Sequence, residues 1–141
     1  MKRQRRMILL VILSAALIVG IYLFAGRMRP LPGMEGDLEW ISVQDNRTNL
    51  AVAIELSDGE ADALKMKLKA LKMKWSGSYV HTFSVENVQF FVDYIVDQKP
   101  FHLVLGEPCF AYESAGKAQY PIVQDDAYRR LMEELQSIAE P

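Results

Sequence analysis

The chain has 141 residues, with 16 basic and 18 acidic side chains, two histidines and one cysteine. A single cysteine excludes an internal disulfide, so packing must hold the fold. Four basic residues, Lys2, Arg3, Arg5 and Arg6, precede residue 7, which leaves 12 basic against 18 acidic residues beyond it. That acidic balance argues against nucleic acid as a partner, because neutralising phosphates requires a basic surface.

Residues 7–25, MILLVILSAALIVGIYLFA, carry no charge over 19 positions. At about 1.5 Å per residue, a helix of that length covers most of the ~30 Å hydrocarbon core of a bilayer. A buried helix of a small domain would show a polar face, yet only Ser14 and Tyr22 offer polar side-chain atoms here. A cleaved signal peptide has a shorter apolar region and small residues before its cleavage site. With cleavage after Ala25, Leu23 stands where one of those small residues belongs. The expectation is therefore a retained single-pass anchor. It divides the chain into a cytoplasmic basic tail at 1–6, a transmembrane anchor at 7–25, a linker at 26–37 and an extracytoplasmic domain at 38–141. The basic residues ahead of the run direct the N-terminus to the cytoplasm by the positive-inside rule.

The linker contains Pro30, Pro32, Gly33 and Gly36, which prevent a continuous helix. Residues 38–43 and 50–56 read as two strands around the polar turn QDNRTN, a hairpin pattern. Within that turn, Asn46-Arg47-Thr48 matches the N-glycosylation acceptor pattern. Ser57-Asp58-Gly59-Glu60 is a capping box and opens a helix with acids in its first turns and lysines toward its end. Residues 64–69, LKMKLK, alternate as a strand would. The strong helix propensity of Ala, Leu, Met and Lys, and the lack of β-branching, favour helix. Leu64, Leu68, Leu71 and Trp75 then share one face. Met66, Ala70 and Met73 form a second apolar stripe, and these three are the candidate partner-binding residues, since methionine suits adaptable contacts.

A turn is expected at 76–78 and a strand at 79–83, with Tyr79, His81 and Phe83 on one face. Residues 84–97 fit two patterns. As a strand, Val88, Phe90, Val92, Tyr94 and Val96 line one face. As a helix, Val85, Val88, Val92 and Ile95 oppose Glu86, Gln89, Asp93 and Asp97. Composition favours the strand, but 14 residues without a turn signal are long for one. Ser84 can cap and Pro100 bounds the end, so helix is expected. Residues 101–105 form a strand that turns at 106–108 onto a partner at 109–112. After a turn at 114–117, residues 119–123 make an edge strand marked by Pro121. Asp125 or Asp126 caps a last helix over 127–139, with Tyr128, Leu131, Leu135 and Ile138 buried and Arg129–Glu133 and Arg130–Glu134 as exposed pairs.

For chemistry, Cys109 is the one thiol and His102 the nearest imidazole across the 101–112 hairpin. A catalytic thiolate needs a nearby imidazole or positive charge, whereas a free cysteine is more often core. A zinc site from His81, His102, Cys109 and one carboxylate lacks the close ligand pairs such sites use. No metal and no cofactor are expected. The fold class expected is α+β, one transmembrane helix followed by a small domain with helices packed on a mostly antiparallel sheet. The function expected is that of a membrane-anchored extracytoplasmic binding or accessory protein with a protein partner. A small cell-envelope enzyme using Cys109 and His102 is the alternative.

Overall fold

The computed structural model describes residues 1–25, 27–74, 84–114 and 118–140. The apolar run is helical and draws the basic residues into the same helix, α1 (Lys2–Ala25). It is long and apolar enough to cross a membrane, and among the described residues nothing buries its apolar span.

The chain enters the domain almost at once. β1 (Met28–Pro30) pairs antiparallel with β4 (Lys72–Lys74), with Met28 opposite Lys74 and Pro30 opposite Lys72. Leu31 and Met34 join the core, Leu31 at 2% exposure. The Tyr94 hydroxyl donates to the Pro32 carbonyl at 2.9 Å. The stretch expected as a linker is thus folded into the domain from Met28 on. Its prolines and glycines do prevent a helix, but they shape a turn that seats two apolar side chains.

β2 (Leu38–Asp45) and β3 (Val52–Ile54) form the expected hairpin, with Val43 opposite Ile54. Ile41 and Val43 point into the core, while Trp40 is exposed. α2 (Asp58–Ala70) starts on the full capping box. The Glu60 amide donates to Ser57 Oγ at 3.3 Å, and the Ser57 amide donates to the Glu60 carboxylate at 2.8 Å. Leu64 and Leu68 face inward. The helix stops at Leu71, whose backbone is extended. From there the lysine–methionine alternation obeys strand geometry, with Lys72 and Lys74 out and Met73 in. Trp75, the turn at 76–78 and the strand expected at 79–83 lie outside the described residues.

Residues 84–97 are not a helix, which corrects the expectation. β5 (Asn87–Val96) is a strand paired with β2 on one side and with β6 (Lys99–Glu107) on the other. Val88, Phe90, Val92, Tyr94 and Val96 are all buried. β-Branched and aromatic residues at period two suit a central strand, and pairing on both edges supports a length that an isolated strand would not hold. The stop signal was present but disguised. Asp97 and Gln98 take φ of +49° and +63°, the left-handed pair of a two-residue hairpin turn, without the usual glycine.

β7 (Phe110–Glu113) returns along β6, and β8 (Tyr120–Pro121) forms the short edge strand expected around Pro121. The order of the larger sheet is β3-β2-β5-β6-β7-β8, with every pair antiparallel. A bridge from Met73 to Ile122 and a 2.8 Å bond from the Val123 amide to the Lys72 carbonyl join the β1–β4 ribbon to that edge, so the sheet curls. α3 (Asp126–Ala139) is capped by Asp125, which accepts from the Tyr128 amide at 3.2 Å. Leu131, Met132 and Leu135 bury with Leu64 and Leu68 of α2 against Phe90, Val92, Tyr94, Leu103 and Leu105. The Arg129–Glu133 pair forms at 2.9 Å, while Glu134 meets Lys67 of α2 at 3.7 Å. The class is α+β.

Candidate functional site

The three candidate partner residues do not share one face. Met66 lies on the outside of α2 at 75% exposure, and Ala70 is exposed at the last helical position. Met73 belongs to β4, at 8% exposure, and packs in the main core. The helical projection that aligned them ends at Leu71, so Met73 follows the period of a strand.

Cys109 and His102 are brought to opposite sides of the sheet. Cys109 packs against the main core and hydrogen-bonds the Tyr128 side chain of α3. Burial raises its thiol, and the hydrogen bonds with the Tyr128 side chain and the Gly106 backbone only partly oppose that. His102 alternates with Phe101 and Leu103, which face the main core, and so points the other way. His81, the other histidine of the sequence, lies outside the described residues.

His102 has its own partners on that second face. Its Nδ1 lies 2.7 Å from Asp93 Oδ1, its Nε2 contacts Ser114 Oγ, and its ring stacks on Tyr112 at 4.8 Å. Burial, with the Asp93 charge nearby, raises the Tyr112 phenol. The register creates the set, because His102 stands opposite Asp93 on β5 and opposite Tyr112 on β7. Sequence reasoning missed it because 84–97 was read as a helix. Read as a hairpin about Asp97 and Gln98, the same residues place 93 across from 102.

A carboxylate–imidazole–hydroxyl chain has the connectivity of an activated serine. Acyl transfer also requires donors about 3 Å from the developing oxyanion, and a pocket for the acyl group. Among the described residues the clefts lie elsewhere. One, of about 430 Å³, is lined by Arg29, Glu35, Asp97, Glu113, Met73 and Tyr120 between the 31–36 turn and the hairpin ends. Another, of about 440 Å³, lies between β3 and the end of α3. The chain of bonds ties the residue that follows β7 to the centre of the sheet.

Electrostatics are otherwise concentrated at the β2–β3 turn. Arg47 binds Asp45 at 2.8 Å and also pairs with Glu140 beyond α3, while its guanidinium lies 5.4 Å from the Phe90 ring centre. Those hydrogen bonds hold the Asp45 carboxyl below its ordinary value. Comparison of the chain with protein-family models, with curated proteins and with solved structures returns no match.

Proposed function

We propose that the protein is a single-pass membrane protein. Its N-terminus stays in the cytoplasm, and its α+β domain is held at the outer surface of the cytoplasmic membrane as a binding or accessory module. The observation that carries this reading is that the apolar central turns of α1 are buried by no other part of the fold among the described residues. A contiguous apolar surface of that size is not stable in water and marks a membrane or partner contact. The bilayer is the partner whose thickness its length matches. The basic residues before the helix support the orientation.

The test is alkaline carbonate extraction of the full-length protein followed by protease treatment of spheroplasts. The expected result is retention in the membrane pellet and digestion of the domain from outside. Release of an intact chain into the supernatant would remove the anchor. Protection of the domain, alongside digestion of a known external marker, would reverse the orientation.

A further inference from the structure

We propose that the β1–β4 ribbon is a second membrane contact, laying Lys72 and Lys74 against the anionic phospholipid headgroups of the leaflet from which α1 emerges. This rests on the anchor reading and adds to it a surface of the domain and a lipid chemistry. The distances are short. α1 ends at Ala25 and β1 starts at Met28, so at 3.8 Å between consecutive Cα atoms Met28 lies within about 11 Å of the helix end. Lys74 is its partner across the ladder, about 5 Å further. The interfacial layer and a screening length of about 8 Å together span most of that distance, and a lysine stem reaches across the remainder.

The chemistry of the ribbon suits that position. Lys72, Lys74, Met28 and Pro30 are exposed, with Met28 at 53%, while Met73 turns inward. Met28 can sit at the acyl boundary while the ammonium groups reach phosphate. Lys65 and Lys67 of α2 meet Asp62 at 3.9 Å and Glu134 at 3.7 Å. Lys72 and Lys74 meet no carboxylate among the described residues. They lie too far along the chain from the helix to count in the positive-inside rule, so they come to the surface only through folding. With 12 basic against 18 acidic residues beyond the tail, an anionic surface repels most of the domain and attracts this ribbon, which fixes an orientation.

The test uses the full-length protein with Cys109→Ser and a single nitroxide at Ala70→Cys, an exposed position two residues before Lys72. It is reconstituted in vesicles of phosphatidylcholine alone or mixed with phosphatidylglycerol. Each basic residue at an anionic surface raises attraction about fivefold, so collision with an aqueous nickel chelate should fall severalfold in the mixed vesicles. A nitroxide at Glu133→Cys on α3 should not change. High salt, or Lys72→Gln with Lys74→Gln, should return position 70 to its phosphatidylcholine value. The salt arm holds even where the double variant fails to fold. Equal accessibility in the two lipids, in a protein that floats with the vesicles, overturns the contact but leaves the anchor. A lipid effect that survives loss of both lysines overturns their assignment. Failure to float after a carbonate wash overturns the anchor, and the contact with it.

Discussion

Asn46 carries more of the fold than its place in a polar turn suggests. Among the described residues it is the one buried polar side chain, at 3% exposure. Its amide donates to the Val85 and Val88 carbonyls, both at 3.0 Å, and its backbone amide donates to the Gln89 carbonyl at 2.8 Å. These bonds pin the end of β2 to the start of β5, where the register shifts between Val88 and Phe90. Gly106 completes that shift. With φ +138°, a Cβ there would stand 2.5 Å from the Asn87 carbonyl oxygen. Asn46→Ala should therefore cost about 1–3 kcal/mol, since the buried Val88 carbonyl and the half-buried Val85 carbonyl both lose their donor. Urea unfolding of the domain measures it. Asn46→Asp, of similar shape, should cost at least as much because it sets carboxylate oxygen against carbonyl oxygen. The same commitments close Asn46 to glycosylation in the folded chain, so the acceptor pattern has a structural explanation. Its side chain was legible only as a turn former, because its partners lie 39 and 42 residues away.

Elements were legible where local chemistry decides them and misread where pairing does. The caps at Ser57 and Asp125 rest on contacts three residues apart, the β2–β3 hairpin and the Pro121 edge on contacts within 11, and each is present. β5 was misread because its length is supported by pairing on both edges, with β2 at least 45 residues earlier and with β6 across a hairpin turn that lacks the usual glycine. The Asp93–His102–Ser114 chain was lost with it. α2 and β4 illustrate a finer failure. The LKMKLK alternation is overridden by helix propensity up to Ala70, and a second alternation, out of step with the first, governs Lys72–Lys74 after the change at Leu71. Methionines seven residues apart in sequence thus have opposite fates. Met66→Glu should leave the thermal melt within about 0.5 kcal/mol of the parent, because the side chain is already in water. Met73→Glu should cost more than about 3 kcal/mol, because it places an unpaired carboxylate in the core. Circular dichroism melts of the two single variants check this. Equal destabilisation by both would mean that α2 runs on to Met73.

At the scale of the whole chain, the sequence announces by composition alone a helix long and apolar enough to cross a membrane. It gives no hint of how closely the domain is sewn to that helix. The segment after α1 is rich in proline and glycine, as a flexible spacer would be, yet it supplies a strand to the ribbon and two side chains to the core. The guanidinium of Arg29 also lies 4.9 Å from the ring centre of Phe24, the next-to-last residue of α1. A spacer can be trimmed without loss, and a structural segment cannot. A fragment starting at Leu38 lacks the β1 ladder, Leu31, Met34 and the acceptor for the Tyr94 hydroxyl. Burying the two apolar side chains contributes about 1.5–3 kcal/mol each. Leaving the Tyr94 hydroxyl without its acceptor costs roughly 1–3 kcal/mol more. The conformational entropy of ordering the segment offsets part of this. The fragment 38–141 should therefore be less stable than 27–141 by about 2–4 kcal/mol, seen as a lower urea midpoint. Leu31→Ala in the longer fragment should reproduce about half of that deficit or more, since it opens a cavity under the same turn. Equal midpoints for the two fragments would mean that residues 27–37 are a spacer after all. The domain would then swing freely from α1 instead of being held against its end.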